Sequence, residues 1–219
     1  MIRTRNAVRS RTVWRAIVGL YEKLRSSRAD YTIKMRLFTG IDLPGDVQDK
    51  LERLLTHLRP TAHLIWSPVY NLHVTTKFIG EWPEEDLEKL TSALRQVPPC
   101  AAPIPIAIRG VGWFPNAHNP RVFWAGIEGG EALAALAGST EDVLEPLGIA
   151  REKRGFSPHL TLARIRRPVP LKEMRQAIAQ FESLEFGSTE IDRFYLFLSR
   201  PGAAGTVYTK LAEFRLAGQ

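Results

Sequence analysis

Two short stretches decide how this chain folds: Leu72-His73-Val74-Thr75-Thr76-Lys77-Phe78 and Pro158-His159-Leu160-Thr161-Leu162-Ala163-Arg164. Both read as strands, and each is followed by a short loop and a helical pattern. Residues two apart in a strand share a face, so His73 and Thr75 point one way while Val74 and Thr76 point the other. His159 and Thr161 likewise share a face, opposite Leu160 and Leu162. A single His-x-Thr on a strand is ordinarily structural. Two of them, at matching places in the two halves of a chain, predict two lobes of similar build that set equivalent strands side by side.

The flanking sequence supplies the rest of those lobes. Met35–Ile41 reads as a strand stopped by Asp42-Leu43-Pro44-Gly45, and a helix follows with Val47, Leu51, Leu54, Leu55 and Leu58 on one face. Short extended runs come next at Leu64–Trp66 and Leu72–Ile79. Trp82-Pro83-Glu84-Glu85 reads as the start of a helix buried through Leu87, Leu90, Leu94 and Val97. Ile104, Ile106 and Ile108 alternate as strand residues, with a loop expected from Gly110 to Pro120 and a strand over Arg121–Ile127. A helix over Glu131–Leu147 is expected to be interrupted at Gly138-Ser139. A basic loop, Arg151–Gly155, leads into Pro158–Ile165, then a helix over Leu171–Phe181. Two strands, near Ile191–Leu198 and Val207–Phe214, flank a Gly-Ala-Ala-Gly turn. Helices and strands are mixed without strict alternation, so the expected class is α+β, bilobal, with antiparallel-rich sheets around a central cleft.

Composition narrows the function. The 219 residues are 44% hydrophobic and 24% charged, as in ordinary globular proteins and unlike disordered ones. No run approaches the roughly 18 apolar residues of a membrane span, and no signal peptide is evident. The lone Cys100 offers neither an internal disulfide nor a cysteine metal site, and a cytoplasmic setting is expected. The net charge of +7 suggests a nucleic-acid partner, but its location matters. Residues 1–34 hold nine of the 30 Lys and Arg and two of the 23 Asp and Glu, which leaves 35–219 neutral by count. The basic segment 1–34 is expected to be an extension, with an amphipathic helix from about Thr12 to Arg28, and Met35 is a candidate start of the domain.

The chemistry lies in the paired motifs. Imidazoles titrate near neutrality, so two of them in opposite protonation states supply a general base and a general acid. Two hydroxyls and a cation hold the non-bridging oxygens of a tetrahedral anion. That set matches phosphodiester hydrolysis without a metal. His-Glu-x-x-His, phosphate-binding glycine-rich loops and a Gly-x-Ser-x-Gly elbow are all absent. No metal or other cofactor is expected. Trp66, Phe156 and Trp113 are candidate platforms for a nucleotide base. Lys77 and Arg164 are candidate cations, although strand alternation puts Arg164 opposite His159 unless the strand bends or bulges.

The two His-x-Thr-x tetrapeptides resemble the signature of the two-histidine phosphoesterase superfamily. Within it, the chain resembles the RNA 2′,3′-cyclic phosphodiesterases, historically called 2′-5′ RNA ligases. The likeness runs through Ile41-Asp42-Leu43-Pro44, Asn71-Leu72-His73 to Gly80, Gly112-Trp113-Phe114-Pro115, Trp124-Ala125-Gly126, Pro158-His159 to Arg164, and Leu198-Ser199-Arg200. Thr76 departs from it, standing where an aliphatic residue is usual. The resemblance implies His73 and His159 as the catalytic pair, and Thr75, Thr161 and Arg164 as phosphate ligands. It also implies a monomeric enzyme acting on RNA ends that bear a 2′,3′-cyclic phosphate. Pseudo-symmetry leaves open which histidine is the base, and His159 is the favoured choice. A nucleotide- or RNA-binding module without turnover, or an enzyme for a small cyclic phosphate, are the alternatives.

Overall fold

Strand β1 (Lys34–Ile41) starts at an exposed lysine and becomes fully buried from Leu37 to Ile41. Burial on both faces at one end means that layers cover it there on both sides. The computed structural model describes residues 33–100, 103–202 and 205–216. Lys34 onward forms one compact unit. The expected helix between Thr12 and Arg28 falls outside the described residues.

β1 pairs antiparallel with β3 (Val74–Pro83) and β8 (Arg193–Gly202), and β8 pairs with β9 (Gly205–Arg215), giving the sheet order β3-β1-β8-β9. The second sheet runs β2-β6-β5-β4-β7, from β2 (Ile65–Trp66) and β6 (His159–Arg164) through β5 (Val122–Glu128) and β4 (Ile104–Phe114) to β7 (Glu185–Ile191). All of these pairings are antiparallel. β3 and β6 belong to different sheets and approach where the sheets meet. The equivalent strands therefore face one another at the junction of the lobes without sharing hydrogen bonds.

The described helices are α1 (Gly45–Leu58), α2 (Leu87–Leu94), α3 (Gly130–Leu144) and α4 (Lys172–Ala179). α1 buries Val47, Leu51, Leu54, Leu55 and Leu58, the predicted stripe. It leaves β1 of the first sheet yet packs on β7 of the second, beside α4. α3 does the converse: it leaves β5 of the second sheet and packs on β3 of the first, beside α2. Each sheet is thus covered by a helix that follows directly from a strand of the other sheet. A single core cluster follows, running from Leu37 and Val74 to Leu160 and Phe186.

Three local expectations are corrected. α3 continues through Gly138 and Ser139, because Leu133, Leu136, Ala137, Thr140 and Leu144 bury one face. That packing outweighs a glycine cost of about 1 kcal/mol. β4 does not end at Gly110: a bulge there, with Gly110 at φ +69°, lets the strand resume to Phe114. The stretch before Ile191 is the additional strand β7, in which a bulge at Phe186 breaks the alternation and brings Phe186 and Ile191, five residues apart, both to the buried side. Among the described residues, no helix is long and apolar enough to cross a membrane.

Candidate active site

His73 stands one residue before β3, and His159 opens β6. Each imidazole is held in the same way. His73 Nδ1 is 2.7 Å from the Asn71 carbonyl, and His159 Nδ1 is 2.8 Å from the Ser157 carbonyl. A carbonyl only accepts, so Nδ1 carries a proton and donates in both rings, leaving Nε2 as the atom that titrates. In each case the carbonyl belongs to the residue two positions back, so the His-x-Thr strand starts set both tautomers.

The surroundings of the two rings differ. Phe38 stacks on His73 at 4.5 Å between centroids, and Tyr208 meets it edge-on at 4.9 Å. Phe114 meets His159 edge-on at 4.9 Å. Burial lowers the pKa of His73 to about 4, opposed by the Asn71 carbonyl and the Asp42 carboxylate and reinforced by Arg164 and His159. Burial also lowers the pKa of His159, against the Ser157 carbonyl and with help from Arg164. Arg164 thus acts on both imidazoles, and His159 on His73, which places the three groups in one electrostatic site. Gly40 lets β1 approach the start of β3 closely beside His73: a Cβ there would lie 2.9 Å from the Val74 carbonyl.

Arg164 reaches the site through a bulge. Trp124 pairs with Thr161 but Phe123 pairs with Ala163, so Leu162 is an extra residue in β6. Leu162 and Ala163 both turn inward, and exposed Arg164 returns to the face of His159 and Thr161. The first motif repeats this. Gly40 pairs with Thr75 and Thr39 with Lys77, so Thr76 is the extra residue in β3. Thr76 and Lys77 both turn inward, and Phe78 returns to the open face with 56% of its surface exposed. Phe78 is therefore the pseudo-symmetric counterpart of Arg164. Strand alternation puts the half-buried Thr75 and Thr161 on the faces of His73 and His159, and neither hydroxyl has a hydrogen-bond partner among the described residues.

Lys77 does not join them. Its amine donates to Glu141 Oε1 and to the Ala150 carbonyl, each at 2.7 Å, and its side chain is 1% exposed. The expectation that Lys77 binds phosphate fails because the bulge inverts its face. Thr76 is satisfied on the packing side by the Thr39 hydroxyl at 2.8 Å. The three expected base platforms are also drawn inward. Trp66 pairs with the inward Ala163, meets Phe123 edge-on and donates to the Ala62 carbonyl. Trp113 packs on Phe123 at 4.6 Å beneath the Arg175 guanidinium, and Phe156 packs on the core. Sequence reasoning missed Phe38, Phe78, Phe114, Tyr208 and Ile65, which lies directly across from Arg164. It also missed Trp124, whose buried indole nitrogen has no partner among the described residues. The signal for Phe78 was present: the same spacing that ends the second motif at Arg164 ends the first at Phe78.

The LigT-like phosphoesterase family matches residues 41–124 and 127–208, spans that hold both histidines and both bulges. The chain belongs to this family. Among curated LigT-like relatives, the RNA 2′,3′-cyclic phosphodiesterase of Archaeoglobus fulgidus is 34% identical over 180 residues, covering 82% of this chain and 99% of its own. That of Thermus thermophilus is 34% identical over 193 residues, covering 84% and 92%. A crystal structure of a Thermus thermophilus protein superposes with a TM-score of 0.71 at 33% identity, covering 84% of this chain and all of that one. Escherichia coli LigT shares the LigT-like fold at 22% identity and a TM-score of 0.64. Among the described residues, no group of three or more His, Cys, Asp or Glu side chains is placed to hold a metal ion.

Proposed function

We propose that this LigT-like phosphoesterase hydrolyses the terminal 2′,3′-cyclic phosphate of RNA to a 2′-phosphomonoester, using His73 and His159 without a metal. The observation that carries the reading is the matched pair of imidazoles, each donating Nδ1–H to a backbone carbonyl and leaving Nε2 to exchange a proton. The activity named for relatives that match over most of their length supports the same substrate.

Thr75, Thr161 and Arg164 bind the non-bridging oxygens, where charge grows in the transition state. His159, whose charged form burial and the nearby Arg164 disfavour, stays neutral and takes a proton from water. The water oxygen attacks phosphorus, the bond from phosphorus to O3′ breaks, and His73 delivers its Nε2 proton to O3′. His73 takes the acid role in the bound state, because burial holds its pKa at about 4 in the free protein and the substrate anion favours its charged form. Solvent exchange resets both rings. Microscopic reversibility exchanges the roles in 2′-5′ joining. Phe78 and Ile65 (48% exposed) offer apolar surface on the cleft face for the terminal base.

The test is an RNA oligonucleotide ending in 2′,3′-cyclic phosphate, incubated with the protein in excess chelator. A 2′-phosphate product is expected at an undiminished rate, and His73→Ala and His159→Ala should each slow it by about 10²–10⁴-fold. Chelator-sensitive turnover restored by zinc would remove the metal-free scheme. Turnover of a cyclic mononucleotide alone would move the substrate to a small cyclic phosphate. Turnover of neither, by folded protein, would leave a binding module.

A further inference from the structure

Many cations of the described surface are neutralised locally. Lys34 pairs with Glu81, Arg59 with Glu52, Arg95 with Glu88, Arg109 with Glu128, Arg193 with Asp192 and Glu213, and Lys210 with Asp42. Other cations, such as Arg36, Arg53 and Lys89, also lack an ion pair among the described residues, and one group of them is set apart by its place at the end of a motif strand. At the end of β6, Arg164, Arg166 and Arg167 are all exposed and form no ion pair among the described residues. Arg121 lies beside them: its carbonyl accepts from Ile165 N–H at 2.9 Å, and its guanidinium donates to the Arg166 carbonyl at 3.4 Å. Arg175 donates to the Ala117 carbonyl of the same loop. Carbonyls hold the Arg121 and Arg175 guanidinium groups in place without cancelling their charge.

We infer that Arg121, Arg166 and Arg167 form a track for the RNA backbone, continuing from Arg164 in the cleft. The inference rests on the proposed reaction and names what its substrate carries beyond the reacting nucleotide. A terminal cyclic phosphate needs Arg164; the next phosphates along the chain need cations that begin where Arg164 ends. Exposed, unneutralised guanidinium groups bind phosphate oxygens and release counterions from the nucleic acid. The near-zero net charge of 35–219 conceals this surface, because a charge count does not show where the charges lie. An acidic protein would meet the same charge, but the continuity with the phosphate-binding end of β6 favours RNA.

The experiment compares kcat/KM against salt for an oligoribonucleotide ending in 2′,3′-cyclic phosphate and for a cyclic mononucleotide. Wild type, Arg166→Gln/Arg167→Gln and the remote control Arg95→Gln are measured together. The oligonucleotide is expected to give the steeper slope, and the double variant to lessen it by about 0.7 for each phosphate it no longer holds. Mononucleotide turnover and the control should not change. Equal slopes for the two substrates in wild type, no effect of the double variant, or equal losses on both substrates would each overturn the track. If neither substrate turns over, the proposed reaction fails separately. Fluorescence anisotropy with the same RNA ending in a 3′-phosphate then decides the track: weaker, less salt-sensitive binding by the double variant supports it, and unchanged binding overturns it. Displacement of that RNA by polyglutamate as readily as by unlabelled RNA would reassign the surface to an acidic protein and also overturn it.

Discussion

At the residue scale, His73 and His159 share a constraint: both rings are partly withdrawn from water beside the permanent charge of Arg164, so their charged forms are disfavoured. With His73 lowered to about 4 and His159 also lowered, the pair titrates in two steps that belong to the coupled site, both below the ordinary value near 6.5. The sign follows from the charge type: a depressed imidazole is neutral over more of the pH range, so the scarce form at neutrality is the acid. Both limbs of the bell in kcat/KM, which reports the free enzyme, should therefore fall below pH 6.5. A bound phosphate anion raises both values, so the bell in kcat should sit at higher pH. Measuring the two profiles on one substrate checks this; coincident bells, or a kcat/KM bell centred above 7, would contradict it.

At the scale of elements, one extra residue in each of β3 and β6 rearranges the site. The bulge at Leu162 delivers Arg164 to the cleft, and the bulge at Thr76 removes Lys77 from it. Lys77 instead fastens β3 to α3. Its amine meets Glu141 and the Ala150 carbonyl, while Glu141 also accepts the Glu152 N–H at 2.7 Å. That clamp fixes the loop running toward His159. Lys77→Met should cost about 1–3 kcal/mol, because it leaves the shielded Glu141 carboxylate with only Arg151 at 3.7 Å and the Glu152 N–H. Lys77→Met/Glu141→Leu should recover much of that loss. Urea unfolding of the two variants reads the difference; equal stabilities would show that the pair does not anchor the loop.

At the scale of the whole molecule, the helices cross between lobes. α1 leaves the first sheet to cover the second, and α3 leaves the second to cover the first. A break in the exposed loop between β4 and β5, at residues 115–120, therefore divides both sheets, parting β3-β1 from β8-β9 and β4 from β5 and β7, and parts each crossing helix from the strand it covers. Residues 33–115 and 120–219, made separately, should not unfold cooperatively, whereas the mixed fragments should regain a cooperative transition. Circular dichroism during thermal unfolding tests this, and an independently cooperative half would refute the interdependence of the two halves. Much of the molecule was legible from the chain alone. His73, Thr75, His159 and Thr161 were visible because strand alternation is local, and the buried stripe of α1 because helical periodicity is local. The separation of β3 and β6 into two sheets, the inward turn of Lys77, Trp66 and Trp113, the exposure of Phe78 and the unneutralised arginines were not. Each depends on which strand pairs with which and in what register. A bulge changes that register by one residue and so reverses the face of every side chain beyond it.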